Sequence, residues 1–164
     1  MQVSCLHLGF YLASWGMLRG SSTLLRRSAK YFEPIVNVIV SAPSDVWQID
    51  ADRYSAESWH VLDEVSHRIR AAFPEGASDI LVTKIMLGVF GCVPAFDTYF
   101  KKGFGVSTFG LSALQRVERF YRENAEVVER HRVQTLDFDT GAPSNHSYTR
   151  AKVIDTIFFV EGGP

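Results

Sequence analysis

The sequence predicts a mainly α fold, a single multi-helix orthogonal bundle, and three observations predict it. Apolar residues recur at three- and four-residue spacing over 55–73 and again over 111–131, which lays one buried stripe along each segment. Residues 79–90, DILVTKIMLGVF, are apolar nearly all round, the pattern of a helix at the centre of a core. Pro74 with Gly76, and the stretch from Gly91 to Pro94, punctuate the chain around these segments. A length of 164 residues suits one domain with a sizeable core, and 46% hydrophobic against 21% charged residues is an ordinary globular balance.

Taken in order, residues 3–30 read as a long helical pattern, apolar at first and basic later through Arg19, Arg26, Arg27 and Lys30. The chain starts almost inside this helix without a capping lead-in, as a fragment or a shortened start would. Pro34 opens PIVNVIVSA, a short helix or equally a buried strand, because its β-branched run fits both. Pro43 and SDVWQIDADRY form a connection with room for one helical turn. Residues 55–73 bury Trp59, Leu62, Val65, Ile69 and Phe73 along one face. After helix 79–90, a turn leads to a short helix carrying Asp97 that Gly103 and Gly105 end. Over 111–131, Leu111, Leu114, Val117, Phe120 or Tyr121, and Val128 face inward, while Glu118–Arg122 and Glu126–Arg130 make outward i,i+4 pairs. Residues 133–147 read as a loop, and 148–161 as a closing apolar helix stopped by Gly162, Gly163 and Pro164.

Composition excludes some function classes. A net charge of −1 gives no global pull toward nucleic acid or anionic lipid, so such a role needs a local basic face. Cys5 and Cys92 lie far apart without metal spacing, which favours buried free thiols in a reducing compartment. The apolar N-terminal run carries His7, ends at Arg19 and is shorter than the roughly 20 residues that span a bilayer. With no basic segment before it, a signal peptide is also unexpected, and a cytoplasmic protein is the reading.

Several motifs are weak. His60, Glu64 and His67 share one helical face, yet at about 100° per residue that face is opposite the Trp59 stripe, and no second Glu-x-x-His copy exists. LDFDTG places its glycine one position early for a calcium loop and lacks the later glutamate, so Asp137 and Asp139 read as surface loop. NHS at 145–147 is a formal sequon without meaning in a cytoplasmic protein. Nucleophile-elbow, phosphate-loop and dinucleotide fingerprints are missing, and neither a metal nor a cofactor is implied. In SWGMLRGSS, Gly16 and Gly20 sit one helical turn apart, which suits close helix packing. Alternatively, Arg19, Ser21 and Ser22 grip an oxyanion.

The run TKIMLGVFGCVPAFDTYF, residues 83–100, resembles a pattern in helix-hairpin-helix DNA glycosylases: a core helix, an apolar-Gly turn, a proline, then Asp-Thr opening a further helix. The resemblance covers about 25 residues directly. It implies a glycosylase-like fold in which Asp97 stabilises cationic character at a sugar carbon or activates the attacking group. It also implies a flipped nucleotide in an aromatic pocket, with Trp15, Trp47, Phe96 and Tyr99 as possible walls. The glycine hairpin of that family is replaced here by FPEGASDILVTK, with Glu75 and Asp79, and Lys84 lies about one turn beyond the family's lyase lysine. The chain is also similar to bacterial helical proteins that share ASWGMLRGSS and the Pro-Ala-x-Asp segment, a likeness that implies no function.

The expectations converge on a few residues. A buried ammonium in an apolar helix needs a partner, so Lys84 is expected beside Asp97 or Asp155. Asp97 and Lys84 are the candidate catalytic pair at the mouth of a pocket, although Asp97 is equally suited to capping its helix. Arg19, Ser21, Ser22, Arg26 and Arg27, with Lys30, are the candidate nucleic-acid or anion contacts. The alternative is a non-enzymatic interaction module or homodimer that uses the Gly/Ser-rich face of residues 14–22.

Overall fold

The computed structural model describes residues 1–20 and 22–163. Helix follows helix: α1 (Gln2–Ser14), α2 (Glu33–Val40), α3 (Ala56–Ala71), α4 (Asp79–Val89), α5 (Thr98–Phe104), α6 (Leu111–Glu123), α7 (Ala125–Arg130) and α8 (Arg150–Glu161). Short 3-10 turns lie at Thr23–Arg26, Ala29–Phe32 and Ser44–Gln48, and a two-stranded antiparallel hairpin, β1 (Gln134–Leu136) with β2 (Pro143–Ser147), precedes α8. The protein is mainly α. Among the described residues no helix is long and apolar enough to cross a membrane.

Helix α4 occupies the centre, as its unbroken apolar run requires: every side chain from Leu81 to Leu87 is buried. Around it, α3 contributes the expected Leu62, Val65 and Ile69, with Phe73 just past its end, and α6 contributes Ala113, Leu114 and Val117. Ser55 and Ser58 close a reciprocal capping box at the start of α3. Cys5 and Cys92 are buried free thiols.

Three expectations are corrected and one open alternative is settled. Helix α1 does not continue through residues 15–20 and 22–30, which hold turns and two short 3-10 segments. Helix α1 stops at Ser14 because Gly16 adopts φ +70°, with Gly16 N–H donating to Ala13 O and Met17 N–H to Leu12 O, a Schellman stop. Gly20, at φ +61°, turns the chain again, so Gly16 and Gly20 serve backbone turns and form no helix-packing face. Segment 33–40 settles as a helix, with Pro34 in its first turn, where its missing N–H costs nothing. The 111–131 helix is interrupted at Asn124 (φ −128°), whose backbone N–H and side-chain amide both donate to Phe120 O and close the end of α6. Residues 133–147 are a hairpin and not a plain loop. Asp137 Oδ1 accepts from the Thr140 N–H at 2.9 Å and its hydroxyl at 2.7 Å, which shapes the tip before Gly141 (φ +66°).

Two contacts place the elements that carry the site. Helices α5 and α8 meet through glycine: a Cβ at Gly103 would lie 2.3 Å from Phe158 O, and one at Gly162 would lie 1.9 Å from Tyr99 O. Asp50 holds the other end of α8, accepting from the Arg150 and Ala151 N–H groups at 2.8 Å each. The Arg150 guanidinium then reaches Glu129 at 2.6 Å and Tyr121 Oη at 3.0 Å, tying α8 to α6 and α7.

Candidate functional site

The site grows from the turn between α4 and α5. Its backbone is held by two buried side chains: Thr83 Oγ1 accepts from Phe96 N–H at 2.9 Å, and Asp155 Oδ1 accepts from Ala95 N–H at 2.8 Å. Asp97 then caps α5. One carboxylate oxygen accepts from Phe100 N–H at 3.0 Å, and the other lies 3.3 Å from Lys84 Nζ. The ammonium also donates to Trp15 O at 3.3 Å. That carbonyl is free because α1 has just ended, so Lys84 sits at the negative end of a helix of 13 residues. The pair is only 5% (Lys84) and 7% (Asp97) exposed.

The pair nonetheless faces a cleft of about 570 Å³ between the end of α1, α4, the start of α5 and Phe159 of α8. Trp15, Arg19, Lys84, Asp97 and Tyr99 all line it. Arg19 folds back over Gly16, where a Cβ would meet its Nε at 2.8 Å, so the left-handed glycine also clears space for the guanidinium. Tyr99 packs edge-on against Phe159 at 5.0 Å between ring centroids and forms an aromatic wall.

A second ion pair stands behind the first. Lys152 Nζ lies 3.9 Å from Asp155 Oδ2 and 4.0 Å from the centroid of the Trp15 ring, which Lys84 Nζ approaches at 5.0 Å. Burial pushes the Asp155 carboxyl up to about 6 against the pull of Lys152 and the Ala95 N–H. Burial likewise lowers Lys152, with the Asp155 charge opposing. Both shifts have the same cause: each group has lost water that its partner only partly replaces. Tyr11 completes the surroundings, donating to Lys84 O at 2.9 Å, and burial raises its hydroxyl pKa.

Of the residues expected here, Asp97, Lys84 and Arg19 come together, with Trp15 and Tyr99 as walls. Phe96 is fully buried against Phe100 and Phe109, and Trp47 packs on Phe90 at 4.7 Å, so neither lines the cleft. Ser22 is committed to local structure, donating to Met17 O and accepting from Leu24 N–H. It lines a separate surface depression with Arg26 and Arg27, and Arg27 is paired with Glu75 and lies over Tyr31. The expected basic set is therefore divided, and Ser21 lies outside the described residues. His60, Glu64 and His67 are exposed, and no three metal-binding side chains converge among the described residues.

Lys152 and Tyr11 were not singled out from the sequence. The Lys-x-x-Asp spacing at 152–155 inside an apolar helix is a signal for the first, and Tyr11 carries none. Comparison with family models, with curated proteins and with solved structures finds no match for this chain.

Proposed function

We propose that the cleft between α1, α4, α5 and α8 binds a ligand of the nucleotide class, free or within a nucleic-acid strand. One observation carries this reading: a nearly buried lysine opens onto a cleft with, among the described residues, at most two of its three N–H donors directed at protein acceptors. A phosphate oxygen is a suitable acceptor for the third, and Arg19 on the rim adds a guanidinium for the same group. Tyr99 and Phe159 offer an apolar edge for a base. Asp97 orients Lys84 and neutralises it when the cleft is empty.

The chemistry that the glycosylase resemblance adds is hydrolysis of an N-glycosidic bond. Water would add at the sugar C1′, the C1′–N bond would break, and its electron pair would leave with the base and a proton. Asp97, beside the cleft, would stabilise the positive charge that develops on the sugar.

Binding is tested by fluorescence polarisation with a labelled single-stranded oligonucleotide and by calorimetry with AMP. Arg19→Ala and the charge-neutral double variant Lys84→Met/Asp97→Asn are each expected to weaken binding by about tenfold. Affinity indifferent to both changes would sink the proposal. Release of free base from the oligonucleotide, lost in Asp97→Asn, is the separate readout for catalysis.

A further inference from the structure

A second cleft of about 430 Å³ adjoins the first at Trp15, which lines both. Its walls come from Tyr11 of α1, the end of α4, Tyr148 beside β2, and Lys152 of α8. Nothing in the proposed reaction uses Lys152, yet its ammonium is the cation of this cleft. Among the described residues its only carboxylate within 4 Å is Asp155 Oδ2 at 3.9 Å, too long for a normal hydrogen bond. Its side chain is 19% exposed, so the charge is partly desolvated without being sealed off.

The geometry relates the two lysines closely. Their Nζ atoms lie 5.0 and 4.0 Å from one ring centroid, which puts them at most about 9 Å apart. Each cation lines its own cleft, each is backed by its own aspartate, and Trp15 lines both clefts. Two ammonium groups so close repel each other, and Lys84 is one of the charges that lowers Lys152. A second anion arriving beside Lys152 relieves that repulsion and restores hydrogen bonds that burial removed.

We infer that Lys152 and Lys84 form a two-point clamp across Trp15 for a ligand with two phosphoryl groups, one in each cleft. This deepens the reading of the first cleft and rests on it. Two sources carry the required chemistry: the diphosphate of a nucleoside diphosphate, and consecutive phosphates of a short single strand. Linking two anion contacts in one ligand makes the second contact intramolecular, so the two-phosphate form gains affinity over the one-phosphate form.

The test is calorimetric titration of the full chain with two matched pairs of probes, AMP with ADP and 5′-phosphorylated thymidine with its 5′-phosphorylated dinucleotide. In the unaltered protein, the two-phosphate member of at least one pair is expected to bind about tenfold more tightly. The pair that shows the gain identifies the source. Lys152→Met should reduce the preference to within about twofold, and Lys152→Arg should restore it. Lys152→Met/Asp155→Asn, which leaves no unpaired buried charge, checks that the loss does not come from misfolding. A preference that survives in Lys152→Met, or no preference in the unaltered protein, overturns the clamp and leaves the first cleft's reading standing. Failure of every probe to bind overturns both.

Discussion

Asp97 does two jobs with its two carboxylate oxygens, and they can be separated by substitution. One oxygen caps α5 at Phe100 N–H, and the other faces Lys84. Asp97→Ala removes both and leaves a buried ammonium short of its counter-ion, a change expected to cost about 3–5 kcal/mol. Asp97→Asn keeps an oxygen for the cap and should cost clearly less; urea midpoints compare the two. Equal losses would mean that the charge, and not the cap, is what matters. Asp155 gives a pH signature. Its native pKa, about 6, lies above the ordinary carboxylate value, so the folded state holds the proton more tightly than the unfolded chain does. Asp155 therefore opposes folding above pH 6, and that opposition fades as pH falls from about 6 toward 4. Relative to the wild type, Asp155→Asn should gain about 2–3 kcal/mol on going from pH 4 to pH 7.5. Denaturant midpoints at the two pH values measure it, and a pH-independent difference would contradict the assignment. At this scale the Lys84–Asp97 pairing was legible, because an ammonium in an apolar helix demands a partner nearby. The contribution of Trp15 was not: its carbonyl becomes an acceptor only where α1 stops.

Among the elements, α5 and α8 are the pair whose spacing fixes the site. Their backbones meet at Gly103 and Gly162, and the same approach sets Asp155 on the α4–α5 turn at Ala95, two residues before the Asp97 cap of α5. A methyl group at Gly103 has no room, since it would fall on the Phe158 carbonyl. Gly103→Ala should cost about 1–3 kcal/mol and lower Tm by roughly 3–10 °C. Gly110→Ala is the control, because nothing lies within 4 Å of a Cβ there. An equal effect of both would argue against close packing as the cause. Helices α3 and α6 were legible from their apolar periodicity, and α4 from its nearly unbroken apolar run. The end of α1 was hidden, because apolar and basic residues continue past Ser14 at helical spacing while Gly16 and Gly20 turn the backbone. The hairpin was hidden for the opposite reason: its strands are mostly exposed on both faces, so no alternation marks them.

Across the whole molecule, order is unequal in a way that hydrogen exchange can read. Helix α4 is buried along most of its length, and α8 is tied down by Asp50 at one end and by α5 at the other. The hairpin pairs with itself and exposes Val133, Leu136 and Phe138. Amides of the hairpin, such as Tyr148 N–H on Val133 O, should exchange faster than those of α4 by orders of magnitude. Comparable protection in both would show that the hairpin is held by contacts beyond its own ladder. Because this hairpin closes one side of the second cleft, its mobility would also bear on ligand entry there.

The sequence by itself determined the helical class, the central place of α4 and the need of Lys84 for a carboxylate. Each of these follows from local periodicity or from the cost of burying a charge, and both are written in residue order. Only the tertiary structure decided that Trp15, Lys84, Lys152, Asp97 and Asp155 form one cluster at the junction of two clefts. Those residues come from four separate stretches of chain. Their meeting depends on a left-handed glycine that ends α1 and on two glycines that let α5 touch α8. Such long-range approach leaves no periodic trace in the sequence, because it is set by backbones that fit only after the core has formed.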